Sequence, residues 1–356
     1  MPEAPAVAAW RRLALDPPRA WGAPPVTGTL RAAPEDFIVE ERLGYPPDGG
    51  RAHRLLWVEK RAANTLDVAR DLASAAGCHP AEVGFAGMKD RRAVARQWFS
   101  IPAERGPQPP AGYAGNGFRV LESHAHSRKL RRGALAGNAF ALRVRDAAGD
   151  LPGLAARLER LAAQGFPNYF GPQRFGVDGA NLERVQAWLD GGWLPRGREA
   201  RAFVLSTARS IAFQAVLARR VADGSWDRLL PGEVVNLAGS ASVFVAAEPD
   251  AELAQRCRAG DVHPTGPLCG EGGLVPAAEA AAVEQAALAQ VAPLPERLAA
   301  AGMRAERRAL RVQPAALRHR HEGGVLALEF ELPRGAYATG LLRELVATQA
   351  PVEDPE

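Results

Sequence analysis

The chain has 356 residues, 47% hydrophobic content and 44 basic against 40 acidic side chains, for a formal net charge of +4. That is material for a packed core of two or three domains at roughly 100–200 residues each, and it excludes a chain that is disordered throughout. The three cysteines, Cys78, Cys257 and Cys269, lie far apart and argue against a disulfide framework or a zinc site. The first residues lack a charged-then-apolar signal pattern, and no uncharged apolar run approaches the roughly 20 residues of a membrane span. The expectation is a soluble, cytoplasmic protein with no membrane association. A mildly basic balance permits nucleic-acid binding without requiring it. All but three of the basic residues are arginine, so Lys60, Lys89 and Lys129 stand out against the bias.

In chain order, residues 1–25 are rich in proline and alanine and read as an irregular lead-in. Phe37 to Leu43 and His53 to Lys60 read as strands. Asn64 is placed to cap a helix running to Ala76, with Leu66, Ala69, Leu72, Ala73 and Ala76 on one face and Gly77 as its stop. A strand is expected over Arg96 to Ile101. Another is expected where Phe140, Leu142 and Val144 alternate with Ala141, Arg143 and Arg145. From Leu151 the spacing becomes helical, with further helices at 180–190, 206–222, 276–292 and 295–302. Strict alternation returns at Leu326, Leu328, Phe330 and Leu332, and a helix carrying Leu341, Leu342 and Leu345 follows. A sheet-rich part therefore brackets a helix-richer middle.

The densest chemistry lies in Gly84-Phe85-Ala86-Gly87-Met88-Lys89-Asp90-Arg91-Arg92. Two glycines allow a tight turn and close backbone approach. One carboxylate among three cations favours its ionised form, suited to act as nucleophile or base. A turn leading into a charged, solvated segment, with Asp90 only capping, fits the pattern as well. Four cations in Arg128-Lys129-Leu130-Arg131-Arg132, followed by the outward Arg143 and Arg145, could track a phosphate backbone or form a plain exposed loop. Asn138 could read a base edge or stabilise a Gly-Asn turn. Phe37, Tyr337 and the cluster Pro167 to Gly176 place aromatic rings among polar residues, where unstacked bases are commonly held. His124/His126 and His319/His321 lack a third ligand nearby, and no metal site is expected.

Taken together and in order, Leu30 to Glu40, Gly84 to Asp90, Gly133 to Phe140 and Pro167 to Gly176 closely resemble the TruD family of tRNA pseudouridine synthases, which isomerise uridine 13 of tRNA. The resemblance extends from about residue 26 to 348, including Leu205 to Ser210 and Arg343 to Leu345. It implies an α+β protein with the pseudouridine-synthase fold, a mixed, largely antiparallel sheet, and an inserted α/β TRUD domain. The implied boundaries are 1–164 and 312–356 for the catalytic domain and 165–311 for the insertion. By motif alignment Asp90 stands at the catalytic aspartate, while Phe37, Asn138 and Tyr337 stand at uridine-contacting positions. Arg31 occupies a position where relatives usually carry lysine, and Tyr337 one where phenylalanine is common. Arg31 would hold Asp90 ionised and oriented, and Lys89, Arg128, Lys129, Arg131, Arg132 and Arg143 would contact RNA.

Pseudouridine formation conserves mass, so neither cofactor nor metal is expected, and tRNA is the expected partner, with no obligate protein partner. The carboxylate could attack C1′ or C6, or remove the C2′ proton to give a glycal; the residues leave the three routes open. The competing reading is a catalytically silent RNA-binding or RNA-chaperone protein on the same fold. A carboxylate-dependent hydrolase would need a second acid near Asp90, which the turn does not supply.

Overall fold

The computed structural model describes residues 5–348, which form two compact units. The sheet unit comprises Pro25–Leu154, Pro314–Gly335 and the described residues from Val346 onward. The helical unit comprises the described residues up to Pro24, Ala155–Gln313 and Ala336–Leu345. The chain thus belongs to the α+β class. Residues 5–24 and 336–345, which the sequence assigns to the two catalytic segments, pack with the middle segment.

In the sheet unit we label the longer strands β1 (Val26–Leu30), β2 (Phe37–Arg42), β3 (His53–Arg61), β4 (Val94–Pro102), β5 (Phe118–His126), β6 (Gly137–Gly149), β7 (Ala315–Glu322), β8 (Val325–Pro333) and β9 (Val346–Thr348). The order across the sheet is β7-β8-β6-β2-β4-β3-β5, with β1 beside β6 and β9. Pairing is antiparallel except between β2 and β4 and between β1 and β9. Strand alternation sorts the side chains into two faces. On one, Phe37, Val39 and Glu41 of β2 lie in register with Leu142, Phe140 and Asn138 of β6, and these with Leu328, Phe330 and Leu332 of β8. Leu56, Val58 and Lys60 of β3 and Ala95, Gln97 and Phe99 of β4 continue it.

The helix Thr65–Ala75 closes over this face, packing Val68, Ala69, Leu72 and Ala73 against Leu56, Val58, Phe99 and Ile101. Leu66 is exposed instead of facing the core, and Thr65 and Val68 take up the buried stripe. Asn64 precedes the helix with extended backbone, but its amide donates to the Asp67 carboxylate (3.0 Å) and does not accept from a helix N–H.

The helical unit is centred on the 25-residue helix Arg198–Ala222, which begins eight residues earlier than its periodicity suggested. The expected irregular lead-in is also helical: Pro5–Leu15 buries Val7, Trp10 and Ala14 in this core. Spacings of three and four keep those residues on one stripe despite the proline and alanine around them. A four-stranded antiparallel sheet, ordered Val243–Ala246, Glu233–Leu237, Val262–Leu268 and Glu306–Ala309, completes the unit. Among the described residues no helix is long and apolar enough to cross a membrane.

Candidate active site

The segment from Gly84 to Asp90 is held against the sheet by polar side chains from three strands and one helix. Gly84 pairs with Ser100 of β4, and a Cβ there would lie 2.3 Å from the Leu130 carbonyl oxygen, so only glycine fits. Gly87 has no such restriction; a Cβ would meet only the end of Lys89, at 3.9 Å. Beyond it, the Thr65 hydroxyl accepts from the Lys89 N–H (3.1 Å) and donates to Gln97 Oε1 (3.0 Å). Gln97 Nε2 in turn donates to the Gly87 carbonyl (3.3 Å). Lys60 Nζ donates to the carbonyls of Asp90 (2.7 Å) and Ala63 (2.8 Å). Lys89 pairs with Glu41 at 2.7 Å, and Glu41 also accepts from the Trp98 N–H.

These bonds direct the Asp90 side chain outward. Its Oδ1 accepts from the Arg92 N–H (3.0 Å), which sets the carboxylate rotamer. Its Oδ2 pairs with Arg31 Nη1 at 2.7 Å, and the Asp90 and Arg31 side chains are 37% and 32% exposed, so the pair is open to a ligand. The Arg31 guanidinium also lies over the Phe37 ring, 4.3 Å from its centroid. Arg31 adopts φ 59°, a left-handed backbone that costs a side-chain-bearing residue about 1 kcal/mol or more. Phe37 meets Phe140 edge-on at 6.1 Å, and Phe140 stacks on Phe330 at 5.3 Å.

Asn138 lies within β6, opposite Glu41 and Leu332, and not in a turn. Gly137 before it is required by the close approach of β8, since a Cβ would sit 2.3 Å from the Leu332 carbonyl oxygen. The Asn138 Oδ1 is buried and has no hydrogen-bond partner among the described residues. Burial pushes the Lys60 ammonium down to about 8; the Asp90 carboxylate opposes that shift and Lys89 adds to it.

The basic loop packs directly against the Gly84–Gly87 segment. Gly133 N–H donates to the Ala86 carbonyl (2.8 Å), Arg132 lies 3.7 Å from the Phe85 ring centroid, and Lys129 donates to the Ala81 carbonyl. Arg128 and Arg131 are exposed on it. Three other cations do not join this surface. Lys89 is buried in its pair with Glu41 and points into the sheet. Arg143 has the opposite strand parity to Asn138 and Phe140, so it emerges on the other face. Arg145 is engaged by the buried Asp36 through three hydrogen bonds of 2.9 to 3.1 Å. Tyr337 belongs to the helical unit, where its ring packs edge-on against Phe170 at 6.1 Å. Its hydroxyl accepts from Arg174 at 3.3 Å, and Arg174 also donates to Ser206. The phenolic oxygen of Tyr337 thereby has a partner.

Sequence reasoning singled out Asp90, Arg31 and Phe37, and Lys60 only as one of three lysines, but not Glu41, Thr65 and Gln97, which with Lys60 tether the turn. Lys60, Glu41 and Gln97 were nevertheless marked by position, since each continues the apolar parity of its strand with a polar side chain.

The fold and site together define a class: an α+β protein that presents one arginine-paired carboxylate on a turn tethered to a mixed sheet. The chain belongs to the TruD family of tRNA pseudouridine synthases. The family model described as tRNA pseudouridine synthase D (TruD) matches residues 18–189 and 198–345. A tRNA pseudouridine synthase D of Chromohalobacter salexigens is 45% identical over 334 residues, covering 92% of this chain and 95% of the relative. One from Pseudomonas putida strain W619 is 46% identical over 331 residues, covering 92% and 94%. A crystal structure from Methanosarcina mazei, described as a candidate tRNA pseudouridine synthase D, superposes with a TM-score of 0.68 at 20% identity over 96% of this chain and 98% of that one, and bears on the fold.

Proposed function

We propose that this protein isomerises uridine 13 of tRNA to pseudouridine, with Asp90 acting on a uridine flipped out of the RNA. The observation that carries this reading is the Asp90–Arg31 pair: a half-exposed carboxylate with one oxygen on a guanidinium, on a turn whose backbone is fixed from below. The reaction breaks the C1′–N1 bond, rotates the uracil and joins C1′ to C5; the C5 proton leaves and N1 gains one. Asp90 would begin it by attack at C1′ or C6 or by removing the C2′ proton.

Extrusion of the nucleotide costs a few kcal/mol. Stacking on the aromatic ring of Phe37 would return on the order of 1–3 kcal/mol. The buried Oδ1 of Asn138 is an acceptor suited to the imide N–H of uracil. Arg128, Lys129, Arg131 and Arg132, beside the turn, would hold phosphates. In this reading the helical unit is the counterpart of the inserted TRUD domain.

Asp90→Asn should form less than about 1% of the pseudouridine made by the wild type while retaining tRNA binding; turnover above that level removes Asp90 from its role. Pseudouridine mapping in tRNA from a deletion strain, with and without complementation, tests the position. A modification that stays at uridine 13 in the deletion strain would refute that target.

A further inference from the structure

Lys60 lies at the end of β3 with none of its surface exposed. A lysine in such a place is unusual, because an isolated ammonium is expensive to remove from water. Neither of its hydrogen-bond acceptors compensates that charge: both are backbone carbonyls, of Ala63 and of Asp90. The groups in register with it on the flanking strands, Ala95 and Phe118, are neutral. The charges that act on it come from the turn, Asp90 in its favour and Lys89 against. Buried charges of this kind add little to stability compared with an apolar residue of similar size. A purely structural role therefore explains this residue poorly.

We propose that Lys60 is a positioning residue whose protonated amine clamps the backbone of Asp90 and supplies a second positive charge beneath its carboxylate, so that the enzyme turns over only while Lys60 carries its proton. The inference rests on Asp90 being the acting carboxylate. Arg31 meets the side chain from the solvent side and Lys60 meets the main chain from the sheet. Together they hold Asp90 by its main chain and by its side chain. Charge-assisted hydrogen bonds are roughly twice as strong as neutral ones, so losing the proton loosens the clamp, and a displacement of about 1 Å in a reacting group can cost about 100-fold in rate. The lowered value near 8 brings this loss within reach of ordinary assay conditions. Activity falls as pH rises through it, and Lys60 is the basic group responsible.

The small number of lysines makes the test direct. Full-length protein labelled at lysine Cε carries three labelled positions, Lys60, Lys89 and Lys129. The signal absent from Lys60→Met, or identified by elimination with Lys89→Arg and Lys129→Arg should that variant not fold, is expected to titrate near 8. In Asp90→Asn its midpoint should move lower, because the opposing negative charge is gone. Lys60→Met should lose about 100-fold in kcat with KM nearly unchanged, and the alkaline fall in kcat should be absent from its residual activity. A Lys60 midpoint indifferent to Asp90→Asn, or a Lys60→Met enzyme with wild-type kcat, overturns the proposal. If the wild type forms no pseudouridine, the proposed function fails, and the Asp90→Asn shift alone then decides whether the clamp exists.

Discussion

The two faces of the sheet unit carry charged residues of the same kinds and put them to opposite uses. On the Asp90 face, Glu41, Lys60 and Gln97 are buried, and each reaches the turn directly or through one neighbour. On the other, Arg96 pairs with Glu40 and with Glu59 in half-exposed positions on the face that also carries Trp57 and Trp98, whose rings meet at a tilt 4.9 Å apart. Further along, Arg143, Arg318 and Arg320 line an open groove of about 590 Å³. Exposed pairs are worth about 0–1 kcal/mol and tolerate rearrangement. Breaking a buried pair leaves a desolvated charge and costs about 3–5 kcal/mol. Position relative to the sheet, and not charge as such, therefore decides which of these residues can hold a reacting group.

The largest effect is expected at Arg31, which joins the solvent side of the Asp90 turn to Phe37. Arg31→Ala removes a charged hydrogen bond worth about 1.5–3 kcal/mol, and kcat should fall about 10- to 100-fold. Arg31→Lys keeps the charge but loses the flat guanidinium over Phe37, worth about 0.5–2 kcal/mol. Its activity should lie between the wild type and Arg31→Ala in a steady-state pseudouridine assay. If Arg31→Ala and the wild type have equal kcat, the Asp90 carboxylate does not depend on its guanidinium partner, and the Arg92 N–H on its Oδ1 and Lys60 on its main chain would suffice.

Much of the sheet unit was legible because period-two alternation is a strong local signal. Phe140, Leu142 and Val144, and Leu326 to Leu332, are in strands as the alternation implied. The helical unit was read less well at its edges. Pro5–Leu15 was masked by its proline-rich surroundings, and the strands Glu233–Leu237 and Val262–Leu268 lack clear alternation because their residues are buried on both sides. Asp90 was visible as a carboxylate among cations. The pair to Arg31 was expected only once the family resemblance had been seen, because it joins residues 59 apart by a backbone kink at a non-glycine position that composition does not betray. Lys89 was drawn toward RNA by its neighbours in sequence, whereas its partner in the fold, Glu41, comes from β2.

The basic loop tests the exposed half of the Asp90 side. Arg131→Glu combined with Arg132→Glu should weaken tRNA binding and reduce the salt slope by about 0.7–0.9 for each phosphate that is no longer neutralised. Measured by filter binding across salt concentrations, an unchanged slope would mean that the loop faces away from the RNA. Arg132 also stacks on Phe85, so a thermal melt of the double variant separates a weaker grip on phosphate from a loosened turn.

The smallest effect is expected at Arg143, and it is the one that most directly questions the division between faces. In sequence, Arg143 follows the basic loop and belongs to the same positive stretch. In the fold, β6 sends Asn138 and Phe140 to the Asp90 side and Arg143 to the opposite side, where Ala327 lies beside it in register and Arg320 beyond. Reversal of an exposed charge away from the bound RNA should change stability by about 0.5 kcal/mol or less and leave the salt slope of the wild type intact. If Arg143→Glu flattened that slope as much as the Arg131 and Arg132 reversal, the RNA would have to reach both faces of one sheet. The groove lined by Arg318 and Arg320 would then be part of its path.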